Sequence, residues 1–554
     1  MSEKIITLIV LLSPLGFVLT ALASRFQDGR RPKMVIAVGS ISSILTIIIA
    51  VFSCLSVYNN SLIQSGFLGL DKLGFSIRLD SVSSIMFLMI ALLSFIIIKF
   101  SVNYLEGDQK HGAFIGRLAA TIASVELLVL SGNLGLLLVS WIFTSISLHR
   151  LLIFYKDRPT ARVAAKKKFI LARLGDLCLF LAVILLYNQF RSGNLETIFA
   201  SIRNTAGNLP FWGLEAPALL LGFAAILKSA QFPTHGWLIE VMETPTPVSA
   251  LLHAGLLNAG PFLIVRMAYV INASTVTPLL LMSIGGLTAL FASIIFLTQT
   301  SVKTALGYSS VAHMGFSLML CGLGVYSAAM LHLVAHSFYK AHSFLSSGSG
   351  IDVLKASRIK KETEKHSPAK IILGILMALA LYAVFAITWG IDLDREFSLL
   401  IIGAVIVMGL SRIFTSAIVK KWNSGFMLRT LFIGLVVITA FFLLESGTHH
   451  ILYSSIPELV RPGKGKIIVA GILLLLFGVT VLIQMIAPQL SSKPSYQKLA
   501  IHIRNGFYAN ALFDRLIGSL RIHSSKNEEM LRSLESSKYE TKEAATKELQ
   551  EQIA

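Results

Sequence analysis

Charge is what this sequence has least of. Asp, Glu, Lys and Arg make up only 14% of 554 residues, and the acids are outnumbered, 29 against 48 Lys and Arg. With 55% hydrophobic residues and a mean hydropathy of +0.74, the chain falls outside the ordinary soluble globular class and reads as an all-α polytopic membrane protein. Cysteine is nearly absent too. Cys54, Cys178 and Cys321 lie far apart in apolar runs, which excludes a disulfide framework and a cysteine metal centre; they read as small buried side chains. Nor does any stretch supply a nucleophile–base pair, a phosphate loop or a closed metal site, so the chain is not expected to be an enzyme in its own right. A net charge of +19 suggests nucleic acid at first, but the Lys and Arg sit between apolar spans and in the tail. That is the distribution of a positive-inside membrane protein.

What is abundant is the long apolar run. A window of about 19 residues finds spans near 5–24, 34–57, 82–100, 115–131, 133–155 and 169–187. A broken pair follows inside 211–272, then spans near 276–299, 307–324, 326–346, 369–391, 399–419, 428–446 and 466–488. That makes about fifteen crossings. Lys4 precedes a long apolar run with Pro14 and no small-residue cleavage site, so the first run reads as a transmembrane helix rather than a removed signal. Basic residues crowd 25–33, 156–173, 355–370 and 420–429. With fifteen crossings these loops fall on one side together with the C-terminal tail, so the C-terminus is expected to be cytoplasmic; the basic cluster 461–466 is the exception. After Pro488, residues 489–523 alternate apolar and basic groups as an interfacial segment would, and 524–554 read as a charged, solvated tail.

One stretch breaks the membrane rules. In 228–266, Pro233, Pro245, Pro247 and Pro261 each remove a backbone donor, and Gly236, Gly255 and Gly260 loosen the chain around them. Lys228, His235, Glu240, Glu243, His253 and Arg266 place ionisable groups where lipid rejects them, at roughly 2.5–3.5 kcal/mol for a central charge on insertion scales. Irregular backbone at this depth must be buried in protein or line a hydrated cavity, and broken helices mark ion sites in transporters. Glu240 and Glu243, i and i+3 ahead of the proline break, either hold a cation or proton at a cavity mouth or bond orphan amides of the next half-helix.

A second polar cluster lies in the span 326–346. His332, His336 and Lys340 are spaced i, i+4, i+8 and share one helix face; His342 lies off that stripe, and the preceding span holds His313 with Lys303 at its start. Two histidines at i, i+4 suit zinc, but no third ligand is near and the lysine repels a cation. A proton path is the better reading, with packing by interhelical hydrogen bonds as the plain alternative. Lysines 228 and 340, about 110 residues apart, suggest two repeats with a half-channel each. Glu126 sits in an otherwise apolar span as either a proton donor or the counter-ion of a group such as Lys228. His149 and Arg150 can snorkel at the end of their span, and Arg173 and Asp176, at i and i+3, read as a structural pair.

Several of these stretches are specific enough to carry a family resemblance. NLGLLLVSW at 133–141, FILARLGD at 169–176, KSAQFP at 228–233, TPTPVSALLHAG at 244–255, VKTALGYSSVAHMGF at 302–316 and HLVAHSFYKAHSFLSSGS at 332–349 resemble the antiporter-like membrane subunits of respiratory complex I and the multisubunit Na⁺/H⁺ antiporters. The resemblance covers roughly 80–350 and implies two inverted five-helix repeats and a chain of lysines and histidines carrying protons. On that basis Lys228 matches the lysine of the broken-helix site, and His253, Lys303, His332, His336 and Lys340 match the connecting and second-site groups. The implied layout is N-terminal helices over 1–110, a first repeat over 111–272, a second over 273–425, C-terminal helices over 426–488 and the amphipathic segment with its tail over 489–554.

The departures are informative. The family's fifth helix carries an acid directly after the tryptophan; here Ile142 follows Trp141, which leaves Glu126 as the candidate substitute. The family's twelfth helix carries a charge, whereas 371–389 holds none and the first acids after it are Asp392 and Asp394. These changes, together with METPTPVSALLHAGLLNAGPF at 242–262, resemble the membrane subunits of the two-component, energy-coupled inorganic carbon pumps of the bacterial inner membrane. That resemblance implies a soluble partner related to β-carbonic anhydrases which carries zinc, with no cofactor in this chain. The membrane chain would couple proton or cation entry to hydration of CO₂ and accumulation of bicarbonate. The alternatives are a proton- or sodium-translocating subunit of a complex I-like or multisubunit antiporter assembly, and a passive membrane anchor for a soluble enzyme.

Overall fold

In the computed structural model, the described residues are 2–70, 72–155, 159–205, 211–348, 367–390, 397–420, 424–490 and 493–517. Apolar runs become helices in chain order. These are α1 (Glu3–Ala23), α2 (Lys33–Asn60), α3 (Ser81–Tyr104), α4 (His111–Val129), α5 (Leu134–Leu152), α6 (Pro159–Phe190), α7 (Leu195–Thr205) and α8 (Phe211–Lys228). The broken region supplies α9 (Gly236–Glu240), α10 (Thr246–Ala254), α11 (Ala259–Arg266) and α12 (Ala268–Asn272). Then follow α13 (Val276–Phe296), α14 (Val302–Leu323), α15 (Tyr326–Leu345), α16 (Pro368–Trp389), α17 (Phe397–Lys420), α18 (Ser424–Leu452), α19 (Lys464–Leu490), α20 (Pro494–Arg504) and α21 (Ala509–Ile517). Among the described residues, 13 helical segments are long and apolar enough to cross a membrane, with 246–266 counted as one. The sequence reading also placed a broken pair inside 211–272 and a span near 326–346; α8 opens the first region and α15 fills the second, as helices of 18 and 20 residues.

The chain divides into two compact units, 1–505 and 506–554. Of the second, α21 and the turn before it are described. The expected charged tail beyond 517 lies outside the described residues, as do most of the basic loop 355–370 and Asp392 and Asp394. One stretch departs from the all-helical expectation. Between α2 and α3, β1 (Ile63–Gln64) pairs with β4 (Arg78–Leu79), and β2 (Leu68–Leu70) pairs with β3 (Leu73–Phe75), each pair antiparallel. These ribbons are too short for an alternating pattern to stand out in the sequence.

Helix ends are fixed by polar side chains that also tie distant segments together. Asp80 caps α3 in a capping box with Ser83, and its Oδ2 accepts from Arg78 Nε (2.7 Å) and Arg266 NH1 (2.6 Å). Arg266 closes α11, so this buried charge group pins the far end of the broken region to the start of α3. Glu215 on α8 accepts from the amides of Thr275 (2.9 Å) and Val276 (2.7 Å), satisfying orphan donors at the start of α13. Small residues set the closest helix approaches. A Cβ on Gly260 of α11 would stand 2.6 Å from the Ala225 carbonyl oxygen of α8 and 2.9 Å from Oγ of Ser229, the residue after Lys228.

Candidate functional site: two buried lysines and a histidine line

The broken region is a sequence of short helices. α8 ends at Lys228, Ala230 adopts a positive φ of 52°, and the Phe232–Pro233 peptide is cis. α9 and a 3₁₀ turn over Val241–Glu243 follow. Pro245 then stands in extended backbone immediately before α10, and Pro247 occupies its first turn, where a missing N–H costs nothing. A further break at 255–258, a 3₁₀ turn before α11, lies beyond the double-proline site that the sequence pointed to. Every residue of 246–266 is buried, as irregular backbone at membrane depth must be.

Lys228 reaches α5. Its Nζ donates to the Trp141 carbonyl (3.2 Å), Thr144 Oγ1 (2.9 Å) and Ser145 Oγ (2.7 Å), and lies 4.2 Å from the centroid of the Trp141 ring. Three donors thus meet three acceptors, with an aromatic face beside the cation. Glu126 is not among its partners, contrary to the expectation that it replaces the missing acid. Its Oε2 accepts from Ser13 of α1 (2.8 Å), which in turn bonds Thr46 of α2 (2.7 Å), and its Oε1 has no partner. On α5 the ammonium meets two hydroxyls, Thr144 and Ser145, and the carboxylate whose charge acts on it is Asp176 of α6. Serine and threonine are ordinary in membrane helices, so nothing in their identity marked them in advance.

A second correction concerns the basic run before Arg173, read as a loop. α6 begins at Pro159 and carries that run inside the fold. Lys166 is exposed, but Lys167 and Lys168 are buried at 2% and 5% exposure. Lys168 Nζ donates to the Ser145 carbonyl (2.9 Å), so two lysine side chains converge on one serine of α5. Lys167 pairs with Glu240 of α9 at 2.5 Å. Through this pair Glu240 ties the broken segment to α6. The side chain of Glu243 lies outside those described. Arg173 and Asp176 pair at 2.7 Å, as the spacing suggested.

The second cluster closes around α15. His313 of α14 approaches His332 with Nδ1 3.3 Å from Nε2, and its ring lies 4.8 Å from that of His336. Both ring nitrogens of buried His336 lack a hydrogen-bond partner. Lys340 Nζ donates to one acceptor, the Leu306 carbonyl of α14 (3.1 Å). His253 of α10 is fully buried, stacks on Phe344 of α15 at 4.3 Å, and likewise has no partner on either nitrogen. Asn258 bonds Ser337 of α15 at 2.6 Å, so the second break and the histidine line share one interface. His313 thus belongs to the cluster by position. Lys303 does not: it sits half-exposed in the first turn of α14, ten residues or about 15 Å before His313. No hydrogen bond joins Lys228 to His253 among the described residues. His235, in the break after Lys228, is buried beside Phe291 of α13 (5.2 Å) and Tyr308 of α14 (6.1 Å). No group of three or more His, Cys, Asp or Glu side chains among the described residues could hold a metal ion.

A helix-broken core carrying buried lysines and histidines defines an antiporter-like membrane subunit, and the comparisons agree. Residues 131–400 match the family described as NADH:quinone oxidoreductase/Mrp antiporter, transmembrane region, and 68–115 match the N-terminal family of complex I chain 5. The probable inorganic carbon transporter subunit DabB2 of Halothiobacillus neapolitanus is 38% identical over 350 residues, 63% of this chain and 63% of its own length. The chain therefore spans less than two thirds of that relative. The probable inorganic carbon transporter subunit DabB of Hydrogenovibrio crunogenus is 33% identical over 396 residues, 70% of this chain and 74% of that one. A solved Mrp complex from Dietzia sp. shares the fold, with a TM-score of 0.63 at 21% identity over 94% of this chain and 60% of the other. The chain belongs to the NADH:quinone oxidoreductase/Mrp antiporter-like family of membrane subunits, in the group that includes the inorganic carbon transporter subunits DabB.

Proposed function

We propose that this chain is the proton- or cation-conducting membrane subunit of an inorganic carbon uptake pump in a bacterial inner membrane. It would couple ion flow to CO₂ hydration by a soluble, zinc-bearing partner of the DabA type, related to β-carbonic anhydrases. The observation that carries this reading is the joining of a buried lysine line to a broken helix. Lys228 is held by α5 beside the break, and His253, His313, His332, His336 and Lys340 line the interface on which the second break packs. The residues of α9–α11 are the ones whose backbone can shift when charge arrives, because their helices are short and interrupted. Lys228 and the α15 stripe carry the ion, and His235 connects them; Lys303 lies at the margin of that route.

The test is growth in air of a carbonic-anhydrase-deficient host expressing the chain with its partner. Lys228→Ala and Lys340→Ala are each expected to abolish rescue, and full rescue by both overturns the reading. The family match keeps one competitor in play, an ion translocator of a complex I-like or multisubunit antiporter assembly. It predicts co-purification with other membrane subunits of such an assembly and no zinc protein.

A further inference from the structure

One end of α5 carries a polar row that the lysine–histidine route leaves unused. Trp141, Ser145 and His149 stand at i, i+4 and i+8 and share one face over about 12 Å of helix. This spacing repeats that of the α15 stripe. Two residues of α6 lie along the row: buried Lys168 donates from Nζ to the Ser145 carbonyl (2.9 Å), and the Phe169 ring lies 5.0 Å from that of His149. From α8, Lys228 donates to the hydroxyl of the same serine (2.7 Å). Two ammonium groups thus meet on the two oxygens of one residue, and like charges this close repel. The charges of Lys228, Asp176 and Arg173 act on Lys168, and those of Lys168 and Arg173 act on His149. His149 is half-buried in the last turn of α5, and exposed Arg150 beside it marks that end as facing water. The row therefore leads inward to Lys228 from the side on which the basic residues 156–173 lie.

We propose that His149 and Lys168 form the proton port of the first lysine site, and that the ion this site takes is H⁺ rather than Na⁺. The proposal rests on the ion-conducting reading given above and deepens it by naming the ion. His149 takes a proton from water on one ring nitrogen and releases one from the other, so its own charge is restored after each passage. The released proton crosses by way of water to the neutral amine of Lys168, which becomes an ammonium. That new charge sits on the same serine as the Lys228 ammonium and repels it. Lys228 gives its proton to water on the side of the broken region and is left a neutral amine. The proton on Lys168 then passes to Lys228, and the row is ready for the next. One proton enters for each that leaves. Two lysines and Arg173 around the Asp176 carboxylate repel a metal cation, whereas a neutral amine or imidazole accepts a proton.

The experiment uses the chain with its partner in proteoliposomes holding a pH-sensitive dye, after an imposed pH step, with Na⁺ flux followed in parallel. Lys168→Arg keeps the charge and a donor for the Ser145 carbonyl but cannot release a proton. It is expected to slow proton entry roughly ten-fold or more, as loss of a positioned acid or base does. A lysine that only holds α6 against α5 predicts a wild-type rate in Lys168→Arg, and that result overturns the port. His149→Ala is expected to slow entry as much and to recover with added imidazole, which reaches a half-buried position and repairs no packing defect. A wild-type rate in His149→Ala, or a slow one that imidazole does not raise, likewise overturns the port. A wild-type complex that moves Na⁺ and no protons overturns the port and leaves the broader reading in place. One that moves neither ion overturns both.

Discussion

The two buried lysines look equivalent on paper and are built in opposite ways. Lys228 sits in a closed cradle, three donors to three acceptors on one helix, with a tryptophan ring alongside and a second lysine drawn to the same serine. Lys340 has one carbonyl acceptor and a row of imidazoles, two of which lack any partner for either nitrogen. Buried polar groups are normally satisfied, and each that is not costs about 1–3 kcal/mol. The first site is therefore organised to hold a charge. The second keeps bonding capacity vacant, which suits a place that charge and water pass through. Stability and coupling should separate when the two are attacked in turn.

The largest expected effect tests how firmly the first region is anchored. Glu240→Gln leaves buried Lys167 without the carboxylate it meets at 2.5 Å. Breaking a buried pair from one side costs about 3–5 kcal/mol; with Glu240 22% exposed, the lower end is expected. Thermal unfolding in detergent should show a clear drop in Tm, and the broken segment should gain protease sensitivity as α9 loosens from α6. An unchanged Tm means the pair does not anchor the break, and the contrast between a fixed and an open site weakens.

A matched pair of substitutions sharpens the contrast. Ser145→Ala removes one acceptor from an ammonium, worth about 1.5–3 kcal/mol for a bond to a charged group, and should lower both Tm and growth rescue. His336→Phe nearly keeps ring size and removes two nitrogens that make no bond. It is expected to leave Tm unchanged or raise it while abolishing rescue. If His336→Phe destabilises as Ser145→Ala does, the histidine line is a packing device after all.

How much of this was legible in the sequence follows from what each signal measures. The α15 stripe was visible because helical period alone places His332, His336 and Lys340 on one face. The broken region was visible because prolines and charges cannot stand unexplained in lipid. Periodicity does not say which helix faces which, so Glu126 was assigned to Lys228 when its neighbour is Ser13. A hydropathy window ends a span where lysines begin, so Lys167 and Lys168 were placed in a loop although α6 extends through them. Thr144 and Ser145 gave no signal, because a hydroxyl becomes a site only when an ammonium arrives from another helix.

The smallest effect expected is the one that decides what replaced the fifth-helix acid. Glu126 is wholly buried, its Oε2 takes the Ser13 hydroxyl, and Ser13 continues to Thr46. That bond needs an oxygen, not a charge. Glu126→Gln supplies one in the same volume, so Tm should stay within about 0.5 kcal/mol-equivalent of wild type, as for substitutions that break no named interaction. Lys228 keeps all three of its α5 acceptors in this variant, because none of them is Glu126. Growth rescue in air should therefore be largely retained by Glu126→Gln and lost in Lys228→Ala. A loss of rescue equal to that of Lys228→Ala would restore Glu126 as the working partner of the broken-helix lysine. The cradle of hydroxyls would then be a resting position, and the two lysine sites would differ less than their geometry implies.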